Sequence, residues 1–180
     1  MEHLRTALWP LAKAELMRAN ADRKHPFRYF TLGTLGETYP ELRTVVNRGI
    51  SAELILRCYT DSRTPKVAQL RQHSEVSALF YHPKKQLQVR IKGQARLVES
   101  GEAFEQIKSR LAAGPSARDY QTQRPPGSAW QEDALGEHLY FCLVEIIPDE
   151  IDLLQLRREG HLRSSLRRHE DGWEEIPLVP

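Results

Sequence analysis

The chain is 180 residues long and carries 26 Lys and Arg against 24 Asp and Glu, a formal net charge of +2. So slight an excess does not imply a polyanionic partner unless the charges cluster, and two cysteines far apart in sequence, Cys58 and Cys142, read as free thiols and exclude a disulfide-dense scaffold. Seven histidines lie without Cys or His neighbours at ligand spacing, so no metal site is expected. Residues 1–20 carry charges throughout and lack the apolar core of a signal peptide, and no segment approaches the length of a membrane span. The expectation is a cytoplasmic protein with no membrane partner, its two thiols buried and free, and one domain over residues 1–180.

Leu4, Leu8, Leu11 and Leu16 recur at helical spacing, which predicts an amphipathic helix over about 2–20 with a kink or restart at Pro10. Residues 27–35 are rich in aromatic and β-branched side chains, and Gly36 and Pro40 supply turn chemistry before a second strand at 42–48. A third strand is expected at 53–60. Thr64 then fits an N-cap and Pro65 a first helical position, so a short helix runs over 65–73. Strands follow at 76–81 and 86–98, and Ser100 is placed to cap a helix through Phe104, Ile107 and Leu111. Residues 113–130, dominated by Gly, Pro, Ser, Gln and Arg, read as a long loop over a site or an interface. A C-terminal strand region, about 139–177, contains strands at 139–147, 151–156, 162–168 and 173–176, with a tight turn at Asp171-Gly172. Many strands with only short helices between them predict a mainly β fold, an antiparallel barrel with peripheral helices.

Three clusters carry chemistry. Arg43-Thr44-Val45-Val46-Asn47-Arg48 places two cations on one strand, but period-two alternation sends Arg43 and Val45 one way and Thr44, Val46 and Arg48 the other. A bulge near Asn47-Arg48 is needed before both arginines can serve one pocket. The second cluster, Tyr59-Thr60-Asp61-Ser62-Arg63-Thr64-Pro65-Lys66, collects hydroxyls and two cations at a helix entrance, a pattern suited to a terminal phosphate. In the third, Gln88, Arg90 and Lys92 share one face of a strand and Leu87, Val89 and Ile91 the other. The C-terminal arginines 157, 158, 163, 167 and 168 are interspersed with acids and lack stacking aromatics, so no nucleic-acid partner is expected.

Taken in order, Leu32-Gly33-Thr34-Leu35, Arg43 through Gly49, Tyr59 through Lys66, and Gln88-Val89-Arg90-Ile91-Lys92-Gly93 resemble the flavin-binding core of the pyridoxamine 5'-phosphate oxidase-like split barrels. The resemblance implies an antiparallel, Greek-key FMN-binding split barrel. It also implies a homodimer with the flavin sites at the subunit interface, and FMN-dependent oxidoreductase activity on an unassigned small-molecule substrate. Arg43, Arg63, Thr64 and Lys66 would hold the FMN phosphate, with Ser62 as a helper. Val45 and Val46 would lie along the isoalloxazine, Thr60 would contact the ring or ribityl region, and Gln88 would approach from the second subunit. Thr44 and Tyr59 complete the cofactor-binding set. Arg48 stands where the true oxidase carries a lysine that touches flavin and substrate.

The oxidase's C-terminal tryptophan is absent from Leu153-Leu154-Gln155, and its two arginine positions hold His161 and Ser165. Losing these donors argues against vitamin B6 oxidation, by about 1.5–3 kcal/mol for each charged hydrogen bond. A non-catalytic flavin or haem carrier on the same barrel is the alternative. No catalytic side chain is assigned, and Arg118, Ser128, His161 and Arg163 are left without roles.

Overall fold

The structure is a computed structural model, and it describes residues 7–132, 135–170 and 172–180. The first helix, α1, spans Trp9–Arg18 with Pro10 in its opening turn. A missing N–H there costs no helical hydrogen bond, so Pro10 starts the helix and does not kink it. Leu4 of the predicted helix and Asp171 of the predicted turn lie outside the described residues. Phe27 belongs to a 3-10 turn, Pro26–Arg28, that leads into β1, Tyr29–Leu35.

The second strand, β2, spans Pro40–Val46 and stops two residues short of its predicted end. Asn47 is the reason. Its backbone N–H bonds Arg28 O, its Nδ2 donates to Phe27 O at 3.2 Å, and its Oδ1 accepts from Gly49 N at 2.9 Å. The corner so made leads into β3, Gly49–Ile50, and then β4, Leu56–Asp61. Next come α2, Pro65–Gln72, β5, Glu75–His82, and β6, Leu87–Val98. Helix α3, Glu102–Ala112, takes Gly101 as its N-cap residue at φ +100°, in place of Ser100. Part of the expected loop at 113–130 is ordered as a 3-10 turn, Pro115–Tyr120. The chain ends with β7, Phe141–Gln155, β8, Leu162–His169, and β9, Gly172–Leu178.

All strand pairs are antiparallel, in the order β2-β1-β5-β6-β7-β4-β3, with β8 on β7 and β9 on β8. β7 is one strand where the sequence predicts two, and its halves serve different neighbours. Its first half pairs β4 and its second half pairs β8, while β6 runs beside both. The register shifts at Gly93 and Pro148, where a proline tolerates the lost ladder bond. Glycine is required at 93, because a β carbon there would collide with the carbonyl oxygen of Ile147.

Inward-facing residues of the sheet, among them Phe30, Leu32, Phe80, Val89, Ile91, Val144, Ile151 and Leu153, form the main core, with Leu16 of α1 packed into it. A second, smaller cluster of Phe104, Ala117, Tyr120, Leu139, Phe141 and Leu143 lies under α3 and the 115–120 turn. No described helix is long and apolar enough to cross a membrane.

Candidate functional site

Register places Arg43 opposite Leu32, on the inward side of β2, and the strand carries its side chain toward α2. There Nη1 donates to Thr34 Oγ1 at 2.5 Å and Nη2 to Gln69 Oε1 at 3.3 Å. Thr34 in turn donates to Gln69 at 2.6 Å, and Arg43 Nη2 pairs with the half-exposed Glu41 at 2.8 Å. One turn of helix before Gln69, Lys66 reaches back to Thr60 Oγ1 at 2.9 Å, and Thr60 lies 3.2 Å from the Thr64 hydroxyl. Burial pushes the Lys66 ammonium below its usual pKa, and the neighbouring Arg43 pushes the same way. The ammonium donates to a hydroxyl, and no described carboxylate forms an ion pair with it.

At the α2 entrance Thr64 has the extended backbone of an N-cap, as the sequence predicts, but its hydroxyl donates to Asp61 O at 2.8 Å instead of capping. Pro65 has no N–H and Val67 N already bonds Thr64 O, so the helix end offers few free donors. Charge at this entrance therefore comes from side chains. Arg63, expected to point at an anion, is held by Asp61, with Nε to Oδ1 at 3.0 Å and Nη2 to Oδ2 at 2.7 Å. That pairing strengthens its charged form. Ser62 bonds Tyr140 O through its backbone N–H.

Arg48 follows the Asn47 corner and stands over the Tyr59 ring, 5.0 Å from its centroid. Its buried Nε has no hydrogen-bond partner. Tyr120 lies beside it: burial raises the phenol pKa, and the Arg48 guanidinium works against that rise. Because β2 ends at Val46, strand alternation does not carry past the Asn47 corner, and Arg43 and Arg48 contact different partners. Val45 packs partly against the main core, while Thr44 is exposed and Val46 half-buried. Gln88 faces outward on β6 in register with Tyr81 and Leu154, on a different element from Arg43 of β2 and Lys66 of α2. Elsewhere Arg163 is paired with Asp152 at 2.9 Å, His161 Nδ1 accepts from Arg157 N at 3.1 Å, and Arg118 and Ser128 are exposed.

The sequence motifs do not announce a buried group that ties α1 to the end of β5 and the residues after it. Glu15 accepts from His25 at 3.0 Å, Lys85 at 2.7 Å and Arg18 at 3.2 Å, with His82 Nε2 at 3.4 Å. The two histidines and the glutamate have the separations of a metal site. Their ring protons argue otherwise: Phe27 N donates to His25 Nδ1 and Lys85 N to His82 Nδ1, so each neutral ring carries its proton on Nε2, facing the carboxylate. The group is a hydrogen-bonded latch. Both thiols are pushed up to about 12 by burial, Cys58 against the opposing pull of Lys66 and Arg48.

A family model for the pyridoxamine 5'-phosphate oxidase FMN-binding domain matches residues 7–99, just over half of the chain and the part that holds Arg43, Arg48, Thr60, Lys66 and Gln88. The chain belongs to that family, and FMN is its cofactor. Among solved structures, a pyridoxamine 5'-phosphate oxidase-related, FMN binding protein from Nostoc punctiforme is 25% identical at a TM-score of 0.75, covering 97% of this chain and 99% of its own. PhzG from Burkholderia lata 383, in complex with tetrahydrophenazine-1-carboxylic acid, is 20% identical at 0.74, with 96% and 92% covered. An FAD-binding protein from Mesorhizobium loti shares the fold at 12% identity and 0.55, with 84% and 96% covered. The antiparallel sheet with few helices is the family's split barrel. A comparison with curated proteins gave no match.

The residues present fit FMN. A half-buried ammonium beside a guanidinium and three threonine hydroxyls, in ion-pair contact with no described carboxylate, suits a phosphate. The orphaned Arg48 Nε, beside aromatic rings, is a further donor without a protein acceptor.

Proposed function

We propose that the chain is an FMN-dependent oxidoreductase that acts as a homodimer on a small-molecule substrate, residues 1–180 forming one domain. The observation that carries this reading is Lys66, a half-buried cation that contacts a hydroxyl, lies near a second cation, Arg43, and forms no ion pair with a described carboxylate. When bound, FMN supplies hydride exchange at its ring. Arg43 and Lys66 hold its phosphate by charge-assisted hydrogen bonds, and Thr60 and Thr64 add hydroxyls. Thr44, Val45, Val46, Arg48 and Tyr59 form the wall on the ring side, with Ser62 near the phosphate.

Gln88 supports the dimer in this reading, since it faces away from its own chain's cation group and serves a flavin only in a second copy. The same outward face carries Leu42 at 72% exposure, Tyr29 at 58% and Tyr81 at 46%, apolar surface that a second copy would cover. Buried free thiols are compatible with the cytoplasm. Turnover of pyridoxamine 5'-phosphate itself is not expected, because His161 is already bonded to Arg157 N and Ser165 brings no charge. An absorption spectrum of the protein as purified tests the reading: flavin bands, released on denaturation as FMN, are expected. A colourless protein that takes up no FMN contradicts it.

A further inference from the structure

We infer that Arg63, at the entrance to α2, is a clamp that fastens the 120–124 strap beside the site, and that discrimination for the FMN phosphate belongs to Arg43 and Lys66. The phosphate half of this inference rests on the FMN reading above. The clamp half rests on contacts within the chain.

A guanidinium has five N–H donors. In Arg63, Nε and Nη2 both engage Asp61, Nη2 also donates to Thr122 Oγ1 at 3.2 Å, and Nη1 donates to Gln123 O at 3.1 Å. The face of the group stacks on Tyr140, 3.5 Å from the ring centroid. Four of its five donors and one face of its π system are engaged by the protein. Its charge is spent as well, on a carboxylate that is 4% exposed and also accepts from Arg63 N at 2.8 Å. A phosphate dianion brought to Arg63 would meet Asp61 at the same place, and like charges at that range repel. Lys66 differs: it makes no ion pair with a described carboxylate, and the Asp61 charge acts on it only through space.

The strap that Arg63 holds is tied at its other end to the site. Tyr120 packs edge-on against Phe141 at 5.8 Å between centroids and stands beside Arg48. Thr122 Oγ1 donates to Arg124 O at 2.8 Å, closing the turn that offers Gln123 O to Arg63. The strap therefore spans from the Arg48 corner after β2 to the Arg63 corner before α2. Arg63 positions it; it is a positioning residue, and its effect on flavin is indirect.

The test compares FMN and riboflavin affinities of Arg63→Ala, Arg63→Lys and Lys66→Met with wild type, together with chymotrypsin cleavage after Tyr120, which is buried until the strap opens, mapped by mass spectrometry. Both Arg63 variants should keep the FMN-to-riboflavin affinity ratio within about 2-fold of wild type while strap cleavage of the folded protein rises about 10-fold or more. Lys66→Met should do the reverse, lowering the ratio about 10-fold or more with cleavage unchanged. Lysine keeps the charge of Arg63 but loses the fork, so recovery of wild-type cleavage in Arg63→Lys would count against the clamp. A ratio that falls about 10-fold in Arg63→Ala, or a strap cut no faster than in wild type, overturns the inference. Should Arg63→Ala fail to fold, Arg63→Lys carries both readouts. Wild-type protein that binds no FMN would sink the functional reading alone, because the cleavage arm needs no flavin.

Discussion

Two polar groups, a buried one around Glu15 and a half-buried one around Lys66, are built from similar residue types and reach opposite ends. The Glu15 carboxylate, 2% exposed, receives His25, Lys85 and Arg18, with His82 close by, and every strong donor aimed at it has found its acceptor. Lys66 and Arg43 are two cations among threonine hydroxyls and a glutamine, and the only ion pair in the group is Arg43 with half-exposed Glu41 among the described residues. A closed set of charges holds a fold together; an open one is organised for something that arrives later. The comparison teaches that the sign of a group's unmet charge, more than its burial, separates latch from site.

The largest effect that would sharpen this contrast is on stability. Glu15→Ala should cost about 3–5 kcal/mol in denaturant unfolding, because it strands the Lys85 charge and leaves two imidazole N–H groups without an acceptor. FMN affinity should stay unchanged in that variant if it remains folded. An Ala variant as stable as wild type would break the latch half of the comparison.

Acid should open the same latch in two stages. Burial lowers the His82 pKa, so its neutral form contributes stability that is present above its ordinary value of 6.5 and is lost as pH falls below it. Glu15 is held near 2 against a usual 4.5: burial pushes it up, and the hydrogen bonds from Lys85 and His25 more than reverse that. Its contribution, about 3 kcal/mol, is therefore present above pH 4.5 and disappears between there and about pH 2. Melting temperature followed across pH 8 to 2 checks this, and Glu15→Ala should flatten the lower step.

Lys66→Met should act on ligand instead of fold. Removing a half-buried charge that makes no ion pair with a described carboxylate should leave the flavin-free protein about as stable as wild type, while FMN binding weakens by about 1.5–3 kcal/mol. A variant that loses stability but keeps FMN affinity would reverse the roles assigned to the two groups. The smallest effect expected is at the thiols: Cys58 and Cys142, both pushed up to about 12, should stay silent to a thiol reagent at pH 8 until the protein unfolds.

Much of the frame was readable before any coordinates. Period-two alternation placed Gln88, Arg90 and Lys92 outward and Leu87, Val89 and Ile91 inward on β6, and Thr64-Pro65 marked the start of α2. These are local patterns, decided within a few residues. The Glu15 latch was not readable, since Lys85 lies 70 residues from Glu15 and each partner alone looks like a solvated charge. The joining of β7 into one strand depended on a bulge at Gly93 and Pro148, where the proline by itself suggests a break. At the site, Lys66 followed from its motif, whereas the engagement of Arg63 with Thr122 and Gln123, about 60 residues away, is a matter of tertiary contact. A useful signal was present in Asp61, a carboxylate two residues from an arginine already assigned to an anion.

The most direct measurement is a calorimetric titration of the flavin-free protein with FMN and with riboflavin in the same buffer. FMN should bind about 100-fold or more tightly than riboflavin, since the two differ only in the phosphate that Arg43 and Lys66 are arranged to receive. Equal affinity for both would contradict the assignment of this cation group to the FMN phosphate.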